Sequence, residues 1–178
     1  DGTSTGILPE MGDYTLYIEL LEGKDIKIES GSNITITAAV IEDPDDDEPS
    51  VLGQIYDGTI IIGDYAGSAG SIVIDGLKIA NTNKNGIEIL DLSTNITIKN
   101  CNIKIIGEED PENPYFSVYG VNANGWIEGL NISDNKIGVY GDAAYSYGIQ
   151  LGSYGALSNP KDITISNNEI YMDIEAGM

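Results

Sequence analysis

Glu88, Asn122 and Gln150 each hold the polar middle of an apolar–polar–apolar triplet that follows a glycine: "GIEI" from 86, "GVNA" from 120 and "GIQL" from 148. Alternate side chains of a strand face opposite ways. Ile87, Val121 and Ile149, with Ile89, Ala123 and Leu151, are therefore expected inward, and the polar three outward in one column. Aromatic residues lie close by in the sequence, above all Tyr119, Tyr147 and Trp126. A carboxylate and two amides beside aromatic rings suit a sugar, whose C–H face rests on a ring while its hydroxyls bond the polar groups. Glu88, Asn122, Gln150, Tyr119, Tyr147 and Trp126 are the candidate ligand-binding set. The competing reading has these tyrosines, with Tyr115, Phe116, Tyr140, Tyr145 and Tyr154, simply packing loops onto the body of the protein.

Catalytic chemistry is harder to assemble from the same residues. The chain has no His, which excludes Ser-His and Cys-His nucleophiles. It has no Arg, and its lysines are badly placed to act as a base. Lys99 and Lys136 belong to a neighbouring strand-and-turn phrase, and Lys84 to a loop. A glycoside hydrolase needs two carboxylates on one face, about 5 to 9.5 Å apart. Glu88 has amides as its stacked partners, and Asp91 falls in a turn. No catalytic residue is assigned.

Charge narrows the partners. The 178 residues carry 29 acids against 8 bases, a formal charge of −21, and every base is Lys. Nucleic acid is excluded as a partner, because binding it requires a basic face to neutralise phosphates. Anionic membrane surfaces are disfavoured for the same reason, and no run of 18 apolar residues offers a membrane-spanning helix. Such acidity can attract divalent cations. "VIEDPDDDEPS" at 40–50 supplies Asp45, Asp46 and Asp47 as weak Ca2+ candidates, and Glu108, Glu109, Asp110 and Glu112 form a second acidic run. Neither has the spacing or glycine of a calcium loop, and a solvated acidic surface is the alternative. Asn33, Asn95 and Asn131 open N-x-S/T triplets and are glycosylation candidates, although a repeated "NIT" phrase would generate such triplets by itself. Cys101 is the sole cysteine, so no internal disulfide forms; its place in the repeat marks it as a small buried apolar residue.

These side chains need a scaffold, and a repeat provides it. "SIVIDGLKI" begins at 71, "NITIKNCNI" at 95, "GLNISDNKI" at 129 and "DITISNNEI" at 162. Ile72, Ile96, Leu130 and Ile163 share the first slot; Ile74, Ile98, Ile132 and Ile165 the second; Ile79, Ile103, Ile137 and Ile170 close the phrase. Period-two alternation marks a strand with one buried face. The pairs Asp75-Gly76, Asn100-Cys101, Asp134-Asn135 and Asn167-Asn168 are read as tight turns. With the glycine-led triplets interleaved, each coil has three short strands, and coils stack at strand spacing, ~4.8 Å. The expected fold is all-β: a right-handed, single-stranded parallel β-helix. An antiparallel sandwich also uses many short strands, but does not require the same residue type at equivalent slots. Four segments leave the coils as loops: 40–50, 106–117, 141–147 and 152–162.

The generic pattern "GIxI…NITIxNNxI" resembles the pectin-lyase-like superfamily of right-handed parallel β-helices. The resemblance covers about residues 58–178, with residues 1–57 as looser opening coils and the acidic loop, in one β-helix domain. It implies the fold and leaves function open, since that scaffold carries lyases, hydrolases, tailspikes and adhesins. A lyase of that family would offer an Arg base and calcium-holding acids, neither matched here. "NITIKNCNI" also resembles repeats in large adhesin-like surface proteins of methanogenic archaea and bacteria. The function expected is a non-enzymatic extracellular or cell-surface module, binding carbohydrate or a partner surface or serving as a rigid spacer. A polysaccharide lyase or hydrolase is the alternative, and a tailspike-like trimer a further one. The chain starts at Asp1 without a signal peptide and stops partway through a coil. A longer parent protein, with neighbouring domains covering that end, is the expectation.

Overall fold

The structure, a computed structural model, describes residues 12–28, 33–41, 50–51, 53–63, 70–143, 145–152 and 160–173. The chain winds through successive coils of three strands. The first coil is β1 (Asp13–Ile18), β2 (Leu20–Glu22) and β3 (Ile26–Ile28). The second is β4 (Asn33–Ala38), β7 (Gln54–Tyr56) and β8 (Ile60–Ile62), interrupted by the pair β5 (Val40–Ile41) and β6 (Ser50–Val51). Then come β9 (Ile72–Asp75), β10 (Lys78–Thr82) and β11 (Ile87–Ile89); β12 (Ser93–Lys99), β13 (Asn102–Gly107) and β14 (Ser117–Ala123); and β15 (Ile127–Ser133), β16 (Lys136–Gly141) and β17 (Tyr145–Leu151). Strands β18 (Thr164–Ser166) and β19 (Glu169–Asp173) begin another coil.

Equivalent strands stack into three parallel sheets: β1-β4-β9-β12-β15-β18, β2-β7-β10-β13-β16-β19 and β3-β8-β11-β14-β17. This is a parallel β-helix with three strands per coil; the antiparallel sandwich is excluded. Among the described residues, only β5 and β6 pair antiparallel. The described residues contain no helix.

The register explains the repeat. Ile34, Ile72, Ile96 and Leu130 are successive partners in the first sheet, as are Ile36, Ile74, Ile98, Ile132 and Ile165. Ile55, Ile79, Ile103, Ile137 and Ile170 do the same in the second. Burying one such side chain contributes ~1.5–3 kcal/mol, against the entropy of ordering it. Ladders of like side chains let most Ile pack on their own kind, so the interior is a column dominated by β-branched residues.

Glycine before each triplet has a packing reason. A Cβ at Gly120 would stand 2.4 Å from the Ile137 Cγ2 and 2.6 Å from the Gly148 carbonyl oxygen. The coils approach too closely there for any side chain.

Several expectations are corrected. The corner in the first phrase lies one residue later than Asp75-Gly76: the left-handed residues are Gly76, Asn100, Asp134 and Asn167, and the slots after them hold Leu77, Cys101, Asn135 and Asn168. Leu151, Ile165 and Ile170, read as inward core, are exposed, at 38%, 44% and 47%. An inner slot is closed only by the coils on both sides, and no described residue stacks beyond these three. Ile149 and Ile163 are partly buried for the same reason. Part of the 141–147 segment, expected as a loop, is strand: Gly141 ends β16, and Tyr145 and Tyr147 belong to β17 and pair with Ser117 and Tyr119 of β14.

Candidate functional site

Two polar columns run along the coils, and their geometry differs. The first sits at the corner between the first and second sheets. Asn168 Oδ1 accepts from the Asn135 backbone N–H at 3.0 Å and from Asn135 Nδ2 at 2.9 Å. Asn135 Oδ1 accepts from the Cys101 N–H at 2.9 Å, and its Nδ2 donates to the Ile98 carbonyl at 3.0 Å. Asn168 Nδ2 donates to the Ile132 carbonyl at 2.8 Å. Cys101 repeats the pattern with sulfur, its Sγ donating to the Lys99 carbonyl at 3.2 Å and lying 3.9 Å from the Ile74 carbonyl. Burial pushes the Cys101 thiol up to about 11, partly offset by the Leu77 backbone N–H. This column is structural: its buried amides are satisfied by backbone. Cys101 stands in for Asn and is held as the neutral thiol, the unreactive form.

The second column is the one read from the triplets. Glu88 pairs in register with Asn122, and Asn122 with Gln150, on the outward side of the third sheet. The column runs further than the triplets indicate: Ile61 and then Lys27 continue it below Glu88. Glu88 is therefore flanked by one amide and one Ile, and not by amides on both sides. Asn122 is 8% exposed, yet its Oδ1 is buried without a hydrogen-bond partner, as is the Gln150 Oε1.

One turn of sequence anchors this column. Asn85 Nδ2 donates to Glu88 Oε1 at 2.5 Å, and Asn85 Oδ1 accepts from the Tyr119 N–H at 3.0 Å. Asn85 was missed in the triplet reading, although it directly precedes the glycine of "NGIEI" where later coils have tyrosine. Those later tyrosines, Tyr119 and Tyr147, stack with ring centroids 5.0 Å apart and planes 12° from parallel. The stack follows from register, since the two residues are direct partners across β14 and β17.

Trp126 is not part of this cluster. It lies beyond the far end of β14, and Tyr119 to Ala123 alone spans roughly 13 Å of strand. Its backbone N–H bonds Asp91 Oδ1, and the Lys161 ammonium sits 5.1 Å from its ring centroid. Asp91 is thus committed to the corner.

The remaining candidates are scattered. Asn33 is exposed at the start of β4 and Asn95 is exposed within β12; Asn131 is half-buried in mid-strand with a buried, unpartnered Oδ1. Asn33 Nδ2 donates to Asp13 Oδ1 at 2.8 Å. Asp45, Asp46 and Asp47, with Asp43, Glu48 and Tyr154, lie outside the described residues. In the second acidic run, Asp110 Oδ1 caps a turn, accepting from the Glu112 N–H at 2.9 Å. Among the described residues no group of three or more metal-binding side chains converges, and no helix is long and apolar enough to cross a membrane.

Comparison with family models, with curated proteins and with solved structures finds no match to this chain.

Proposed function

We propose that this β-helix is a non-enzymatic surface module that binds a polysaccharide along the outward face of its third sheet. The observation that carries the reading is the Tyr119–Tyr147 stack on the same strands as the Glu88–Asn122–Gln150 column. Along the same column, the Glu88 carboxylate and the Asn122 and Gln150 amides are groups of the kind that bond sugar hydroxyls. Parallel aromatic rings present a flat apolar strip for pyranose C–H groups. The lone carboxylate of the column is occupied by Asn85, which favours holding a chain over cutting it. The strongly acidic charge and the tandem coils agree with a module in an extracellular, adhesin-like protein of the pectin-lyase-like kind.

A glycan array probed with the purified protein tests it. Binding is expected, weakened about tenfold or more by Tyr147→Ala and by Gln150→Ala. A blank array would replace the proposal with a rigid-spacer role. Release of reducing ends or unsaturated products from any arrayed glycan, lost in Glu88→Gln, would overturn the non-enzymatic reading.

A further inference from the structure

The second sheet carries a separate feature on its own outward face. In β16, Gly138 leaves a gap between Lys104 of β13 and Tyr171 of β19, its partners in register. The Tyr140 ring leans back across that gap: a Cβ at Gly138 would lie 2.6 Å from two of its atoms. By leaning, Tyr140 vacates the space over its own end of the strand. A hollow of about 310 Å³ results, lined by Lys104, Ile106, Tyr140, Gly141, Asp142 and Asp173. The Lys104 ammonium is 5.5 Å from the Tyr140 ring centroid, which holds both side chains in place. Among the described residues, Lys104, Asp142 and Asp173 form no ion pair, so an ammonium and two carboxylates are available in one recess.

We infer that this hollow is a second carbohydrate site, taking a single neutral hexose unit of a glycan. Its volume falls at the lower end of the ~300–1,000 Å³ range of ligand sites, enough for one ring. The Tyr140 ring and Ile106 offer an apolar contact for the sugar's C–H groups. Asp142 and Asp173 accept hydroxyl hydrogens, and Lys104 donates to a hydroxyl or ring oxygen. Two carboxylates against one ammonium, in a chain of net charge −21, repel uronic acids and sulfated sugars. The site is on a different sheet from the Tyr119–Tyr147 face and does not depend on it.

The test is titration of the labelled protein with maltohexaose, cellohexaose and mannohexaose, reading backbone amide shifts in two-dimensional NMR. At least one neutral hexamer should shift the amides of 104–106 and 140–142 in a saturable way. Tyr140→Ala and Asp142→Asn should each weaken that response at least tenfold, and Tyr140→Phe should keep it. Tyr147→Ala should leave it unchanged, which separates this site from the one on the third sheet. The unaltered remainder of each variant's spectrum reports that it is folded. Three outcomes would overturn the proposal: no neutral hexamer moves these amides, hexagalacturonate moves them as strongly, or Tyr140→Ala binds like the parent protein.

Discussion

The corner column and the outward column of the third sheet use nearly the same chemistry, amides stacked one coil above another. They end in opposite states. At the corner, the side chains of Asn135 and Asn168 turn into the bend and find backbone groups of the preceding coil, the Ile98 and Ile132 carbonyls. On the flat face, the side-chain oxygens of Asn122 and Gln150 are buried with no hydrogen-bond partner. A satisfied polar network holds a structure together, whereas an unsatisfied one is a cost that only a ligand or solvent removes. The same residue type is therefore architectural in one column and a binding candidate in the other.

The strongest perturbation of the corner is expected from its apolar floor. Ile98→Ala removes a fully buried rung beside the ladder and should destabilise by about 2–5 kcal/mol in urea unfolding. Asn135→Ala should cost about 2–4 kcal/mol, since it strands the Cys101 N–H and the Ile98 carbonyl at once. An effect below ~1 kcal/mol would end the claim that this column is architectural.

Alkaline pH probes the same corner. The folded Cys101 thiol titrates near 11 against an ordinary value of 9.0. The folded state thus holds its proton where the unfolded chain loses it. The stability so gained is complete below pH 9 and should decline as pH rises through 11, by up to about 2–3 kcal/mol. Cys101→Ser removes the thiol, and its unfolding free energy should fall less over that window. Near neutral pH, thiol reagents should label Cys101 only as fast as the protein unfolds.

The outward column should respond far less. Asn122→Val replaces an unsatisfied amide with a side chain suited to strands, so its stability should stay within about 1 kcal/mol of the parent or rise. Loss comparable to Asn135→Ala would erase the distinction between the columns. Cys101→Asn is expected to have the smallest effect, ~1 kcal/mol or less in either direction, because it restores the residue found in the two following coils.

Much of the fold was legible because a solenoid writes its register into the chain. Identical slots in successive phrases, such as Ile74, Ile98 and Ile132, become direct neighbours, so alignment of the repeat predicts contact. The Glu88–Asn122–Gln150 column was legible for the same reason. The corner in the first phrase was misplaced because Leu77 replaces Asn there and Gly76 reads equally well as either half of a turn. "GDAAYSY" reads as a loop because it has no clean alternation, yet pairing with β14 draws residues 145–147 into a strand. Asn85 and the hollow around Tyr140 had no repeated signal to reveal them.

Composition and period alone determined that the chain is all-β and that its apolar residues stack in ladders. Those properties depend on residue type and sequence periodicity, which folding does not change. Only the tertiary structure decided which amides are satisfied, that Trp126 stands apart from the tyrosine stack, and that Tyr140 leans over Gly138 to open a recess. Such features arise from atoms brought together across coils, where side-chain direction and the free space between neighbours are set by packing.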